Sequence, residues 1–322
     1  MTLTKRALLA AVALFACSLG EAQAQNYPSQ SIRFIIQASA GGLPDTTARI
    51  VARVLQERLG QAVVIENRPG ANGSVAIGAM LSAPADGYSF VVSDGSILSI
   101  NPVIYSKLSY NTAEVVPAVM LGRAPLFLAV HPKVPIKSMK ELIDYAKARP
   151  GELNYGSSGV GSTHHLSMEA INAALNIKMT HVPFKGTGES VPALLGGHVD
   201  LLFSAYPSLS GAIESKKVTL LANNGPGRSA QAPDAPPVAD TIPGFDFAPG
   251  IGLFARAGTP DAIIQKIASE VAVIVKQPDV IKQFATAGIE PVGAGPAEYV
   301  KVMKGEIDRV AAVVKVAGIK PQ

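Results

Sequence analysis

The chain has 322 residues but only one cysteine and no tryptophan. The cysteine, Cys17, lies inside an apolar run near the N-terminus, and a single thiol excludes a disulfide within one chain. Charged residues are also scarce, at 16%, whereas 48% of the residues are hydrophobic. Such a composition excludes an intrinsically disordered protein. A chain of this length buries a core that is large enough for stability without disulfides.

The sequence lacks runs of basic residues. Its formal net charge is +4, and the basic residues are scattered along predicted helices, as at Arg49, Arg53 and Arg58. No aromatic residues alternate with them, so nucleic-acid binding has no support. A small positive excess is compatible with an anionic ligand.

The motifs of common catalytic and cofactor sites are absent as well. The sequence contains neither a phosphate-binding G-x-x-x-x-G-K-[ST] loop nor a dinucleotide-binding G-x-G-x-x-G pattern. Around Ser158 the string Gly-Ser-Ser-Gly-Val lacks the last glycine of a nucleophile elbow. His164 and His165 are adjacent, so on a helix their side chains diverge by about 100° and cannot bind one metal ion together. We therefore expect no enzyme, no cofactor and no metal site, and a secreted hydrolase is the least favoured function.

The N-terminus has the pattern of a secretory signal peptide. Lys5 and Arg6 precede an apolar run that is too short to span a bilayer comfortably, and the segment finishes on small residues that end at Ala24. The pattern predicts cleavage after Ala24 and a periplasmic protein. The alternative is a lipoprotein lipidated at Cys17, which the bulky Phe15 disfavours.

Strands and helices alternate along most of the remaining chain, which predicts an α/β fold with parallel-rich sheets flanked by helices. A helix capped by Ser138 with Glu141 three residues on has the pattern of a capping box. Thr259 is expected to cap a long helix that begins at Pro260. The predicted strands lie in "SIRFIIQAS", "AVVIEN", "YSFVVS", "LFLAVHP", "LNYGSS", "MTHVPF", "VDLLFS", "VTLLANN" and "GIGLFA", whereas "DGSILSINP" and residues 225–249 are predicted loops.

Four loops that follow predicted strands are rich in hydroxyls and glycine and nearly free of charge: "QASAGGLPD", "SDGS", "GSSGVGSTHH" and "SAYPS". Ligands of α/β sheets bind beyond the carboxyl ends of the strands, where helix N-termini favour anions. Such loops can also serve only to make turns and cap helices. The candidate ligand-binding residues in them are Gln37, Ser39, Gly41, Gly42, Asp45, Ser93, Ser96, Ser158, Gly159, Ser162, Thr163, His164, Ser204, Ala205 and Tyr206.

The ionisable candidates have two interpretations each. One of His164 and His165 is expected to face the cleft, and the other to pack or cap. Lys185, in "HVPFKG", can contact an anionic ligand directly or form a surface ion pair. Asp45 is unsuited to meet an anion, so it is expected to cap its helix or to orient a bound water.

Several strings resemble the Bug family, the extracytoplasmic receptors of tripartite tricarboxylate transporters: "ENRPGANGS", "ADGYSFVVSDGS", "LNYGSSGVGSTHHLSME", "HVPFKGTGESVPALLGGHVDLLF" and "AGIKP". The resemblance implies a two-domain, type II periplasmic-binding fold of the Venus-flytrap kind. It implies a signal peptide at 1–24, domain 1 formed by 25–125 plus 252–322, domain 2 formed by 126–251, and a ligand cleft between them. The "LFLAVHP" and "GIGLFA" strands would be the crossings between domains.

The same resemblance implies a small-molecule carboxylate or amino-acid ligand, membrane permease subunits as partners and a monomer that binds no nucleic acid. The ligand carboxylate would lie between the 39–42 loop and the 158–163 loop. A receptor that presents its closed form to a sensor histidine kinase is an alternative.

Two departures from the family pattern bear on the ligand. "QASAGG" replaces a bulkier "PFPPGG"-like string, which should widen the cleft. Ser204 stands where many members have an aspartate, and without that acid a ligand ammonium would be buried unpaired at a cost. These departures favour a dicarboxylate without an amine, with an aromatic acid of the phthalate or terephthalate type first and an aliphatic or citrate-like acid next. An amino-acid receptor of the same fold is the alternative.

Overall fold

The structure is a computed structural model that describes residues 27–321. The predicted signal peptide, Cys17 and the cleavage site at Ala24 lie outside the described residues. Within them the chain folds into two mixed β-sheets, each covered by helices on both faces. Among residues 27–321, no helix combines the length and the apolar character needed to cross a membrane.

The first sheet has six strands in the spatial order β11-β4-β10-β3-β1-β2. Its strands are β1 (Ile32–Ile36), β2 (Val63–Asn67), β3 (Ser89–Ser93), β4 (Val115–Arg123), β10 (Gly250–Arg256) and β11 (Glu290–Ala294). β1 pairs in parallel with β2 and β3, whereas the other three pairings are antiparallel. Its helices are α1 (Leu43–Leu59), α2 (Ser74–Leu81), α9 (Asp261–Ile274), α10 (Pro278–Thr286) and α11 (Pro296–Val316).

The second sheet has five strands in the order β7-β6-β8-β5-β9. Its strands are β5 (Leu126–Val130), β6 (Asn154–Ser157), β7 (Thr180–Pro183), β8 (Leu201–Ala205) and β9 (Thr219–Asn223). β6 pairs in parallel with β7 and β8, and β5 is antiparallel to β8 and β9. Its helices are α5 (Met139–Ala148), α6 (Thr163–Leu175), α7 (Thr187–Leu195) and α8 (Tyr206–Glu214).

The core explains why the strands read as continuous apolar runs. In β1, Phe34 faces the helices on one side of the sheet and Ile35 faces those on the other, and both are fully buried. A strand covered on both faces needs apolar residues at successive positions, not at alternate ones. On α1, Val51 and Leu55 recur four residues apart and pack against the same face as Phe34.

The predicted helix starts are confirmed in one case and wrong in another. The Ser138 hydroxyl accepts the Glu141 N–H at 3.2 Å, and the Glu141 carboxylate accepts the Lys137 N–H at 2.6 Å. This is the expected cap of α5. α9 begins at Asp261 with Pro260 as its cap, and the Thr259 hydroxyl instead donates to the Arg256 carbonyl at 2.8 Å.

The predicted loop "DGSILSINP" contains two short helices, α3 (Ser96–Ser99) and α4 (Asn101–Ile104). Ile100 and Ile104 are buried in the core of the second sheet, so this segment packs against the opposite lobe. Burial of its apolar residues gives the segment regular structure that its glycine and serine content did not indicate. The predicted loop at residues 225–249 holds only a short 3₁₀ turn at Val238–Asp240.

Both sheets are mixed and not dominated by parallel pairs, because the chain passes between them twice. β4 leads out of the first sheet through Ala124 and Pro125, and β10 leads back into it after Pro249. The Ala124 N–H donates to the Pro249 carbonyl at 3.0 Å, so the two crossings lie side by side. Strands that leave and enter at one point run in opposite directions, and β4 and β10 are accordingly antiparallel.

The expected hinge strands each lie wholly in one sheet, β5 in the second and β10 in the first. The crossings are the short segments next to them. The division into domains at 125/126 and 251/252 stays a prediction, and its second boundary falls inside β10. α11 contacts both lobes, with Tyr299 in the core of the first sheet and Val310 in that of the second.

Candidate functional site

A cavity of about 780 Å³ lies between the two sheets, at the carboxyl ends of β1, β3, β6 and β8. Its volume is in the range of small-molecule sites. The residues that line it are Gly41, Gly42, Leu43, Pro44, Thr46, Asn72, Asp94, Ser96, Ile100, Ile104, Tyr105, Leu126, Ser158, Val160, Gly161, Ser162, Thr163, His164, Thr187, Ala205, Pro207, Ser208, Pro249 and Ala287. Both lobes therefore contribute to one site.

Four helices of eight or more residues begin at this cavity. Their first-turn residues on its wall are Leu43 of α1, Thr163 of α6, Thr187 of α7 and Ser208 of α8. The N–H groups of a helix's first turn have no partner within the helix, and the dipole makes this end positive. No lysine or arginine is among the described residues that line the cavity. An anion here would be held by N–H groups and hydroxyls, without a counter-ion.

The loop that joins β6 to α6 is fixed by its own hydrogen bonds. The Ser162 hydroxyl accepts the His165 N–H at 3.3 Å, which caps α6, and donates to the Gly159 carbonyl at 2.7 Å. Gly161 has a φ of +77°, and an added Cβ would lie 3.2 Å from Ile104 of the opposite lobe. A left-handed backbone in close contact with the other lobe requires glycine here.

His164 lines the cavity and His165 does not. The Ser158 hydroxyl and His164 Nδ1 lie 2.7 Å apart. Burial lowers the pKa of His164 to about 4, although the nearby Asp94 carboxylate acts in the opposite direction. His164 is therefore a neutral hydrogen-bonding group at pH 7. The two adjacent histidines thus have the two different roles that were expected of them.

His165 belongs to a stack of rings behind the loop. Its ring lies 3.9 Å from that of His181, which in turn lies 5.0 Å from the Tyr155 ring. His165 Nδ1 accepts the Gly161 N–H at 3.1 Å, and His181 Nε2 lies 2.6 Å from the Ser157 hydroxyl. Burial lowers the pKa of both histidines to about 4. The stack supports the loop from the side away from the cavity.

Asp45 does not cap α1, nor does it line the cavity. Gly42 is the cap, and Asp45 lies in the first turn with only 2% of its surface exposed. Its carboxylate accepts hydrogen bonds of 2.9 Å from Arg49, from the Gly41 N–H and from Asn67. Burial alone would raise the pKa of Asp45, but these bonds outweigh it and hold the pKa below its ordinary value. Asp45 therefore fixes the shape of the glycine loop.

Half of the predicted site residues line the cavity: Gly41, Gly42, Ser96, Ser158, Ser162, Thr163, His164 and Ala205. Gln37, Ser39, Asp45, Ser93, Gly159, Lys185, Ser204 and Tyr206 do not. Side-chain direction accounts for several of these. Ser204 is fully buried in β8, opposite Phe127, and its hydroxyl has no hydrogen-bond partner among the described residues. Tyr206 packs its ring edge-on against Phe127. Lys185 is exposed at the surface.

Asp94 is the most consequential residue that the sequence analysis missed. It follows β3 directly, inside the "SDGS" loop whose serines were predicted. Its Oδ1 accepts hydrogen bonds from Gln37 Nε2 at 2.7 Å, from the Ser96 hydroxyl at 2.6 Å and from the Ser96 N–H at 3.2 Å. The feature of the sequence that could have identified Asp94 is its position directly after a predicted strand. The bonds fix the carboxylate at the cavity wall.

No group of three histidine, cysteine, aspartate or glutamate side chains within residues 27–321 is placed to hold a metal ion. The polar groups of the cavity wall are hydroxyls, amides, one neutral imidazole and one carboxylate. This set can bind and orient a small polar molecule.

Comparison with known proteins gives consistent results. The family model described as "Tripartite tricarboxylate transporter family receptor" matches residues 47–319. BugT of Bordetella pertussis is 34% identical over 319 residues, which cover 97% of this chain and 98% of that protein.

Two solved structures are similar over nearly their whole length. Rpa4515 of R. palustris, with adipate, has a TM-score of 0.78 at 32% identity and covers 92% of this chain and 100% of its own. MatC of Rhodopseudomonas palustris, with bound malate, has a TM-score of 0.71 at 28% identity and covers 89% of this chain and 100% of its own. These likenesses confirm the predicted fold class.

Proposed function

The chain belongs to the tripartite tricarboxylate transporter receptor family, and from that membership we propose that it captures an organic dicarboxylate and delivers it to membrane permease subunits. The resemblance to the Bug family is thereby confirmed. The family consists of periplasmic substrate-binding receptors and not of enzymes. The observation that carries the proposal is the cavity itself, at which four helix N-termini meet and whose wall, in the part of the chain that the structure describes, has no lysine or arginine.

One ligand carboxylate lies between the two glycine loops. Gly41 and Gly42 belong to the first lobe, whereas Ser158 and Thr163 belong to the second. A ligand that contacts both loops binds the closed arrangement of the lobes more tightly than an open one, so it shifts the population toward closure. The closed surface is then the form that the permease subunits recognise. The receptor acts as a monomer that is exported by the signal peptide at residues 1–24.

The ligand we favour is a dicarboxylate, with an aromatic acid of the phthalate type as the first candidate. Ile100, Ile104, Tyr105 and Val160 give the cavity an apolar wall that suits a flat ring or a methylene chain. An aliphatic diacid is the second candidate, because adipate and malate accompany two similar structures. The argument from Ser204 against an amine has lost its basis, since Ser204 does not line the cavity.

An amino-acid receptor is a second candidate function, and Asp94 is the observation that favours it. A carboxylate on the wall can pair with a ligand ammonium. A receptor that signals through a histidine kinase would use the same cavity and the same closure.

A thermal-shift screen tests the proposal. The full-length gene is expressed, and the protein is purified from the periplasm, unfolded to remove any bound ligand and refolded. It is then screened against mono-, di- and tricarboxylates, aromatic and aliphatic, and against amino acids. A ligand that binds only the native state raises the unfolding midpoint. We expect a selective rise with diacids and none with their dimethyl esters. A flat response to every carboxylate would contradict the proposal.

A further inference from the structure

The cavity combines two opposite electrostatic features. The helix N-termini attract an anion, yet Asp94 is the only residue with a full charge among the described residues that line the wall, and that charge is negative. His164 does not neutralise it, because burial keeps this histidine uncharged at pH 7. A ligand whose only polar groups are carboxylates would bind the N–H groups of the helix ends, but its negative charge would be repelled by that of Asp94.

Asp94 is held in place before any ligand arrives. The three hydrogen bonds that Asp94 accepts from described residues all go to Oδ1, from Gln37 and from both donors of Ser96. The buried Oε1 of Gln37 has no partner among the described residues, so the bond to Asp94 is what orients this amide. Gly95, with a φ of +88°, makes the turn that brings Ser96 back to the carboxylate. Within residues 27–321, Oδ2 is the Asp94 oxygen that remains for a ligand.

From this arrangement we infer that Asp94 determines specificity, and that the cleft selects carboxylates whose carbon chain also carries a hydrogen-bond donor, either a hydroxyl or an ammonium group. The inference rests on the proposed function and narrows its ligand class: it places hydroxylated or amine-bearing acids ahead of the unsubstituted aromatic and aliphatic diacids. A donor would bond to Oδ2 while the ligand carboxylate stays at the helix ends. A site built to hydrogen-bond a ligand group rejects the analogue that lacks it, because the buried acceptor is then left unpaired.

Matched ligand sets test the inference. Succinate, malate and aspartate share a four-carbon diacid skeleton. Succinate carries no donor on its chain, malate carries a hydroxyl and aspartate carries an ammonium group. Glutarate, 2-hydroxyglutarate and glutamate form the five-carbon set, and phthalate with 4-hydroxyphthalate forms an aromatic pair. Titration calorimetry measures each affinity on the refolded protein. The hydroxyl and ammonium members of each set show which donor the natural ligand carries.

For the wild-type protein we expect at least one donor-bearing acid to bind tenfold or more tightly than its donor-free partner. In Asp94→Asn the preference should fall to threefold or less, because the amide keeps an acceptor for Gln37 and Ser96 but also offers N–H groups to a second carboxylate. Asp144→Asn is the control, since Asp144 lies on the exposed face of α5, and it should keep the wild-type preference.

Donor-free acids that bind as tightly as their partners in every set would overturn the inference and leave the proposed function standing. An unchanged preference in Asp94→Asn would overturn it as well. If Asp94→Asn does not fold, the wild-type affinities for the matched acids still decide whether the cleft selects a donor-bearing ligand. If no carboxylate binds at all, the proposed function itself fails, and the inference falls with it.

Discussion

Acidification from pH 7 to pH 5 should remove the stability that the two histidines stacked behind the cleft contribute to the native state. His165 and His181 have a pKa of about 4 in the folded protein, against 6.5 for an exposed histidine, because burial disfavours the imidazolium form. A depressed histidine pKa adds stability above pH 6.5 that is lost as the pH falls toward 4. The protonated His165 also cannot accept the Gly161 N–H, so the ligand loop loses its support.

The magnitude follows from the pKa difference. For one histidine whose pKa falls from 6.5 to about 4, linkage gives a loss of about 2 kcal/mol between pH 7 and pH 5. His181 is only partly buried, so solvent screening reduces its share, and the pair together loses about 2 to 4 kcal/mol. At pH 5 the carboxylates of ordinary pKa are still ionised, which separates this effect from general acid unfolding.

Urea unfolding at pH 7 and pH 5 measures the effect on ligand-free protein. The double variant His165→Asn and His181→Gln keeps an acceptor for Gly161 and a partner for Ser157 but removes both titrating rings. We expect its stability to fall by about 2 to 4 kcal/mol less than that of the wild type between the two pH values. His198→Gln, at an exposed position, is the control and should behave as the wild type. Equal losses in the double variant and the wild type would refute the reasoning.

Three further predictions concern other positions. Ser204→Ala should leave ligand affinity unchanged and stability equal or higher by about 1 kcal/mol, because the buried hydroxyl has no partner within residues 27–321, and weaker binding would show that Ser204 belongs to the site. Gly122→Ala should cost about 1 to 3 kcal/mol in urea unfolding, since a Cβ would lie 2.6 Å from Ile289, whereas Gly227→Ala, with open space, should be neutral. Burial raises the pKa of Glu306 to about 7, so the stability that the protonated carboxyl contributes is lost as the pH rises from 4.5 to 7. The stability of Glu306→Gln relative to that of the wild type should therefore be higher at pH 8 than at pH 4.5, by up to about 3 kcal/mol. Parallel profiles of stability against pH for the two proteins would argue against this.

The strands that the sequence predicted are those whose apolar runs end in glycine, serine or proline turns. Two strands of the first sheet went unrecognised for identifiable reasons. β4 contains Pro117 and Gly122, and Pro117 lies beside a shift in the β4–β10 register, where a missing N–H is tolerated. β11 lies at the edge of the sheet and contains Pro291 and Gly293, the latter with a φ of +70°. Both strands break propensity rules that tertiary pairing overrides.

The site was predictable as a set of loops but not as a set of side chains. Helix N-termini after strands indicate where an anion can bind, and the loops at Gly41, Ser96 and Ser158 do line the cavity. Which side chains point into the cavity depends on strand register, and the register of β8 places the Ser204 side chain in the core instead. Asp94 resembles an ordinary turn residue in the sequence, and the bond from Gln37, fifty-seven positions away, joins the two bonds from Ser96 in fixing it at the wall.

The central claim is that a carboxylate binds in the cavity between the two sheets. Calorimetric titration of the best diacid from the thermal screen, against wild type and Ser208→Trp, tests it most directly. Ser208 lines the cavity at the start of α8, so an indole there obstructs the site, whereas Ser215→Trp places the same ring at the exposed end of the helix. The account predicts that Ser208→Trp abolishes binding without lowering the unfolding midpoint, and that Ser215→Trp binds as the wild type does. Undiminished binding by Ser208→Trp would contradict it.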